Sequence, residues 1–376
     1  KSERENMGII VQKFGGTSVG DPEKIKNVAK RVFETKNQGN QMVVVVSAMG
    51  HSTDILIDLA NQITDNPSER EMDMLLSTGE QVSIALLAMA LHSMGSDAVS
   101  FTGHQIGFET NCVHNKASIK KIGTEKIREH LNKNEVVIVA GFQGITNDCE
   151  ITTLGRGGSD LTAVALAAVL NAEVCEIFTD VDGVYTSDPR IITKARKIDR
   201  ISYDEMLELA SLGAKVLHAR SVELGKKYKV PIHVRSTFVK QEGTMIVEEA
   251  DEMEDVLISG VVLNEDEVKV KFAGVPDRLG IAASMFKKLA NNNVNVDMIV
   301  QNIGDKGHTD ITFTIMKEDL KKILAISKEI VKEIGAKDFI IDEDIAVVSV
   351  VGVGMRRHVG VAAKMFEVFA ENNINI

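Results

Sequence analysis

The sequence predicts an α/β protein: a sandwich around a mainly parallel sheet, followed by smaller ferredoxin-like α+β units. Three observations predict it. Continuous apolar runs at residues 42–46 and 136–141 read as strands covered on both faces, as in parallel sheets. Such runs alternate with stretches whose apolar residues recur every three or four positions, the strand–helix order of a sandwich. Near the end, residues 280–296 return as residues 360–376, an offset of 80 with 9 of 17 positions identical.

The chain is organised around Ile9-Ile10-Val11-Gln12-Lys13-Phe14-Gly15-Gly16-Thr17-Ser18-Val19-Gly20, a strand ending in a glycine turn. Asp21 is a good N-cap and Pro22 a good first helical residue, so a helix follows, and Gly39 closes it. Glycines admit a ligand close to the backbone, a helix N-terminus adds partial positive charge, and Lys13 adds a full one. The pattern suits an anion, above all phosphate, and it also fits a glycine turn in any α/β domain.

After the strand at 42–46, Ser47-Ala48-Met49-Gly50 forms a loop and Ile55, Leu56, Leu59, Ala60 and Ile63 mark a helix. Residues 68–94 form a long helical pattern with Ser77-Thr78-Gly79-Glu80 set into it. A helical glycine costs about 1 kcal/mol against alanine, so Gly79 needs close packing or a ligand to account for it. Residues 99–101 read as a strand, 102–115 as a polar loop and 117–131 as a helix. Thr153-Leu154-Gly155-Arg156-Gly157-Gly158-Ser159-Asp160 feeds another helix, and a strand at 176–180 runs into Val181-Asp182-Gly183-Val184-Tyr185. Ser202 and Glu205 fit a capping box. A helix at 215–228 and strands at 230–235 and 244–247 complete the sandwich.

The acidic run 248–255 reads as a linker. It divides a domain of residues 1–248 from a unit at 256–344 and the start of a second at 345–376. Each repeat follows an apolar strand and a glycine loop, at 268–274 and 346–352. The first continues with strands at 296–300 and 309–315 and a helix at 318–333, a ferredoxin-like order. The second stops after its helix, at Ile376.

A net charge of −11 argues against nucleic acid as a partner, so an anionic ligand needs cations gathered locally. Cys112, Cys149 and Cys175 offer no disulfide framework and no zinc spacing, which suits a reducing cytosol. The histidines form no HExxH, and the reading calls for no metal held by protein ligands. No apolar run approaches 18 residues and no signal peptide is evident, so a soluble, cytoplasmic protein is expected. Polar residues 1–6 precede Met7, where a natural start would put the first strand almost at the N-terminus.

Three features converge on phosphoryl transfer: the Lys13 turn, the Arg156 loop, and the segment from Thr179-Asp180 to Asp188-Pro189-Arg190. That chemistry needs cations around the transferred group, carboxylates to orient them, and precise placement of the acceptor. Neither G-x-x-x-x-G-K-[ST] nor H-R-D-x-x-x-x-N occurs. Together with Val46-Ser47-Ala48-Met49 and Ser77-Thr78-Gly79-Glu80, these motifs resemble, in order and over nearly the whole chain, the amino-acid-kinase family. Within that family the likeness to the aspartate-phosphorylating branch is close, and the tail resembles that branch's paired ACT domains.

The resemblance implies a three-layer amino-acid-kinase sandwich that transfers the γ-phosphoryl of ATP, carried with Mg, to the side-chain carboxylate of L-aspartate. That is the first step toward lysine, threonine and methionine. It implies that Lys13 and Asp160 are catalytic, and that Ser47, Thr53, Glu80, Arg156, Gly157 and Ser159 line the substrate site. Glu80 would meet the α-ammonium and Arg156 the α-carboxylate. Lys13, Gly15, Gly16, Thr179, Asp180, Tyr185, Arg190 and Lys215 would hold the nucleotide. Residue by residue, plainer roles also fit: Thr53 as a helix cap, Asp180 as a turn cap, Tyr185 in packing, Lys215 as a solvated lysine.

For the tail, the resemblance implies an effector site at Asp277, Gly280, Ile281, Ala282, Gln301 and Asn302, completed by Asn373, Asn375 and Ile376 of a second repeat. Lysine or threonine would be the effector, and a homo-oligomer through the ACT units is expected. Another carboxylate kinase of this fold and a catalytically silent amino-acid sensor are the alternatives. The Arg156 loop and the Lys13, Glu80, Arg156 and Asp160 set argue against them.

Overall fold

A computed structural model of the chain describes residues 8–214, 216–248, 258–303, 307–352, 355 and 358–376. Its contacts separate two compact units, Lys1–Val261 with Val350–Ile376, and Val262–Ser349.

The first unit is built on an eight-stranded sheet. Its order is Arg200–Ser202, Thr244–Val247, Ile232–Ser236, Val174–Thr179, Ile9–Phe14, Gln41–Val46, Val136–Ala140 and Ala98–Phe101. Neighbours run parallel except Ile232–Ser236 with Thr244–Val247. The central strands are apolar on both faces because both faces are covered: Val43 to Val46 and Val136 to Ala140 are all fully buried. One face presents Phe14, Met42, Val44, Val46, Val136, Ile138 and Ala140 to helices Pro22–Asn37 and Thr78–Ser93. The other meets helix Gly158–Leu170, most of whose residues are buried. That burial is why this helix is apolar around its circumference. Helix Ala219–Tyr228 packs on it, and helix Tyr203–Ser211 on that.

Local signals hold where they are chemical. Asp21 caps the first helix by accepting the Lys24 N–H at 2.8 Å, with Pro22 at its first position. Ser202 and Glu205 form the capping box. The helical stretch Glu69–Ser93 is long and apolar enough to cross a membrane by length and composition. Its inner side is a core face, however, with Asp73, Glu80, Leu87 and Leu91 buried.

Several expectations are corrected. Residues 117–131 are not one helix: Ile119–Ile122 is a strand and the helix is Glu125–Asn132. The expected loop at 102–115 contains strand Phe108–Thr110, which pairs antiparallel with Ile119–Ile122. With Gln143–Ile145 and Ile151–Thr153 these strands make a separate four-stranded sheet. Gly123 cuts the Ile-Lys-Lys-Ile run short of a helical stripe, and pairing beside the fully buried Phe108 decides its state. The helix expected over 215–228 is Ala219–Tyr228, capped by His218.

The second unit holds Glu267–Pro276, helix Ile281–Asn291, Ile299–Ile303, His308–Met316, helix Leu320–Ile334 and Asp338–Asp342. Its sheet order is Ile299–Ile303, His308–Met316, Glu267–Pro276, Asp338–Asp342, all antiparallel, a ferredoxin-like unit. The strand expected at 296–300 begins later because Val294 and Val296 pack on the core instead. The repeat holds in backbone conformation. Gly280 and Gly360 cap 11-residue helices at φ 87 and 104°, and Asn293 and Asn373 follow them at φ 53 and 55°.

Candidate active site

Parallel strands end on a common edge, and Lys13, Ser47, Thr179 and Asp180 lie at or just beyond the ends of three of them. Strand Ile9–Phe14 lies between Gln41–Val46 and Val174–Thr179, with Lys13 in register with Val45 and Ile177. Helix Pro22–Asn37 follows it on one face and helix Gly158–Leu170 leads to its other neighbour on the opposite face. Such a switch point opens a crevice at the strand ends. Lys13 is 8% exposed, and its Nζ lies 2.6 Å from Oδ1 of Asp160 in the first turn of helix Gly158–Leu170.

The glycine turn is needed for room rather than for a left-handed backbone. Gly15 has φ −71°, its N–H donates to Phe178 O, and a Cβ there would make only ordinary contact with Lys13 Nζ, at 3.5 Å, so the crowded position is Gly16. A Cβ on Gly16 would stand 2.8 Å from Ala48 O, so its missing side chain admits the Ala48–Gly50 loop. The first helix starts later than the turn and Asp21 answers its N-terminal charge. The cation of this turn is therefore Lys13.

Ser47 leaves strand Gln41–Val46 with its N–H on Phe14 O. Next to it, Ala48 N–H donates to Glu80 Oε1 at 3.2 Å. Gly79 allows this approach, since a Cβ there would stand 2.7 Å from the Ala48 Cβ. Glu80 is 3% exposed, its Oε2 has no hydrogen-bond partner, and burial pushes its carboxyl up to about 7 against the pull of backbone N–H groups. Thr53 lies inside the first turn of helix Ser52–Ile63, whose cap position is His51, so Thr53 is not the cap.

Gly155 and Gly157 take φ 78 and 67° and carry Arg156 outward between them; Arg156 is exposed and Ser159 is buried. At Gly157 a Cβ would fall 2.2 Å from the Cβ of His218. His218 escaped the sequence reading; the signal available was its place just past Gly213-Ala214-Lys215. Burial, then Arg220, lower its pKa, with Asp160 pulling the other way and Arg156 adding to the fall. Its imidazole is thus neutral at pH 7, against the loop that carries Arg156. Arg220 also went unread: it donates to Leu154 O at 2.7 Å and Ala117 O at 2.9 Å.

Thr179 and Asp180 sit at the same sheet edge. Thr179 donates to Asp180 Oδ1, and Thr237 N–H donates to Thr179 O. Tyr185 donates to Asp182, and burial followed by Asp182 raises its pKa. Arg190 is largely exposed and chelates Asp188 through Nε and Nη2. Lys215 lies outside the described residues. Among the described residues no three His, Cys, Asp or Glu side chains converge as a metal site.

In the second unit, Asp277 is exposed with its N–H on Gly307 O, and Ile281 and Ala282 lean on the core from the helix that Gly280 caps. Gln301 and Asn302 are exposed on the edge strand. Asn373, Asn375 and Ile376 are exposed beyond helix Val361–Glu371.

Residues 8–236 match the profile of the amino acid kinase family, and residues 268–328 and 348–376 that of the ACT domain. The chain is 52% identical to an aspartate kinase of Pseudomonas putida over 371 residues, covering 98% of this chain and 90% of that one. It is similar to the crystal structure of aspartate kinase from Synechocystis, with 46% identity, TM-score 0.59, 96% of this chain and 63% of that one. It is also similar to E. coli aspartokinase III in complex with aspartate and ADP, at TM-score 0.82, 26% identity, 96% of this chain and 91% of that one. The same E. coli enzyme with lysine and aspartate matches at TM-score 0.73. Matched by both profiles and, along nearly all its length, by curated aspartate kinases, the chain belongs to the amino acid kinase family, among the aspartate kinases with C-terminal ACT domains.

Proposed function

We propose that the crevice at the strand ends binds ATP and L-aspartate and transfers the γ-phosphoryl group to the side-chain carboxylate. The carboxylate oxygen forms the new bond to phosphorus while the bond to the ADP oxygen breaks, giving 4-phospho-L-aspartate and ADP. The acceptor is already an anion at neutral pH, so no general base is needed. The difficulty is bringing two anions together, in a protein that is itself acidic overall. Lys13 supplies the charge against the transferring group and Asp160 holds its ammonium in place. This ion pair, 2.6 Å long beneath the glycine turn, is the observation that carries the reading.

Arg156 takes the α-carboxylate through its two-pronged guanidinium, and the unpartnered Oε2 of Glu80 takes the α-ammonium. Ser47, Thr53, Gly157 and Ser159 complete the substrate wall. Gly15, Gly16, Thr179, Asp180, Tyr185, Arg190 and Lys215 serve the nucleotide. Magnesium would enter with the nucleotide phosphates. Bound there, the ion would neutralise charge on the phosphate oxygens.

Residues 1–248 act as the catalytic domain and residues 256–344 and 345–376 as regulatory ACT units, in a cytoplasmic homo-oligomer. Lysine or threonine binds at Asp277, Gly280, Ile281, Ala282, Gln301 and Asn302, with Asn373, Asn375 and Ile376 from a second repeat. The E. coli enzyme's complex with lysine supports lysine as one effector. Incubation with ATP, magnesium and either aspartate or glutamate, with hydroxylamine to trap acyl phosphate, tests the activity. Hydroxamate should form with aspartate; formation with glutamate alone would reassign the acceptor.

A further inference from the structure

Asp73 is fully buried on helix Glu69–Leu76 and has no part in the site described above. Its carboxylate accepts three kinds of donor. His114 Nδ1 stands at 2.7 Å, the Asn115 N–H at 3.2 Å and Thr153 Oγ1 at 2.5 Å. The last two belong to the frame of the Arg156 loop. Thr153 ends the strand that runs through Leu154 into Gly155 and Arg156, and its carbonyl accepts the Ala117 N–H. Asn115 O lies 2.7 Å from where a Gly155 Cβ would stand. From the other side Arg220 holds the Leu154 and Ala117 carbonyls.

Asp73 also shares the helical stretch Glu69–Ser93 with Glu80, which follows it across the junction at Ser77, and both carboxylates are buried. One helical stretch thus presents two buried carboxylates at this end of the core. Glu80 keeps an oxygen without a partner, while Asp73 is filled by donors from the base of the Arg156 loop.

We propose that Asp73 is a positioning residue: it fixes the Arg156 loop relative to Glu80, and so sets the spacing at which the site reads the α-carboxylate and α-ammonium of its amino acid. This rests on the reading that Arg156 and Glu80 hold those two groups. Small displacements of substrate-holding groups carry large costs. Asp73→Asn should therefore raise the aspartate KM about tenfold or more, with the ATP KM moved less than about twofold.

The test uses the full chain with Asp73→Asn, Thr153→Val, Thr153→Ser and Arg156→Lys, measuring kcat, both KM values and thermal melting. Thr153→Val should raise the aspartate KM selectively, and Thr153→Ser, which keeps the hydroxyl, should restore it. That pair decides the matter if Asp73→Asn does not fold. Lower Tm or kcat in Asp73→Asn and Thr153→Val with both KM values unchanged would make Asp73 merely structural and overturn the proposal. A raised aspartate KM in Arg156→Lys alone overturns the positioning role and leaves the Arg156 reading standing. No change in Arg156→Lys overturns both.

Discussion

Glu80 Oε1 accepts the Ala48 N–H at 3.2 Å, which ties the start of helix Thr78–Ser93 to the loop leaving the second strand. The same contact leaves Oε2 buried and unpaired, and burial holds the carboxyl near 7. Only the ionised form can pair with a substrate ammonium. The kcat/KM for aspartate should therefore rise with pH through about 7 and level above it, and Glu80→Gln should remove that limb. An unchanged profile in Glu80→Gln would take Glu80 out of substrate binding.

The same shift predicts a stability change of fixed sign. The unfolded carboxyl titrates near 4.5 and the folded one near 7. Between these values the unfolded chain has released a proton that the folded chain keeps. The contribution of Glu80 to stability is thus fully present below about 4.5 and lost as pH rises through 7. Thermal melts of Glu80→Gln and parent should coincide near pH 4.5, with the variant melting higher at pH 8.

Lys13→Ala should lower kcat about a hundredfold to a thousandfold through loss of a charge partner to the transferring group. It also strands Asp160, whose side chain is 13% exposed, so Tm should fall as well. Adding Asp160→Asn should recover the Tm and leave kcat low. Activity within a few-fold of the parent in either variant would remove Lys13 from the mechanism.

Gly157→Ala meets two obstacles, φ 67° and the His218 Cβ 2.2 Å away, whereas Gly280→Ala meets φ 87° with nothing within 4 Å. Backbone strain alone costs about 1–2 kcal/mol. Gly157→Ala should therefore destabilise more than Gly280→Ala in denaturant titrations, and His218→Ala should recover part of the difference. Equal losses would show that the loop yields around His218.

Gln301→Ala should weaken inhibition by lysine or threonine while leaving uninhibited kcat nearly unchanged. Gln301 is exposed on an edge strand of the second unit, where a solvated side chain has no structural demand to meet. By linkage, an effector that weakens substrate binding is itself bound more weakly when substrate is present, so a loss of effector affinity should move the inhibition curve to higher effector concentration. Inhibition at the parent's effector concentrations would place the effector elsewhere in the repeat.

The sequence by itself determined what local chemistry controls. Asp21 and Pro22 start a helix, the β-branched run 42–46 favours a buried strand, and a repeat of 17 positions brings back the same left-handed Gly and Asn backbone at its helix ends. Lys13, Glu80 and Arg156 stand out because charges at strand ends, in glycine loops or in apolar helices are conspicuous, whereas the role of Asp160 is read only from the family resemblance. Only the tertiary structure decided what those charges and glycines face. Gly16 and Gly79 serve Ala48 and its loop, Gly157 serves His218, and Arg190 pairs with Asp188 beside it. Ile119–Ile122 becomes a strand because Phe108–Thr110 pairs with it, which no local propensity encodes. Asp73 was unreadable for the same reason: a buried carboxylate is defined by its donors, and these lie some 41 to 80 residues along the chain.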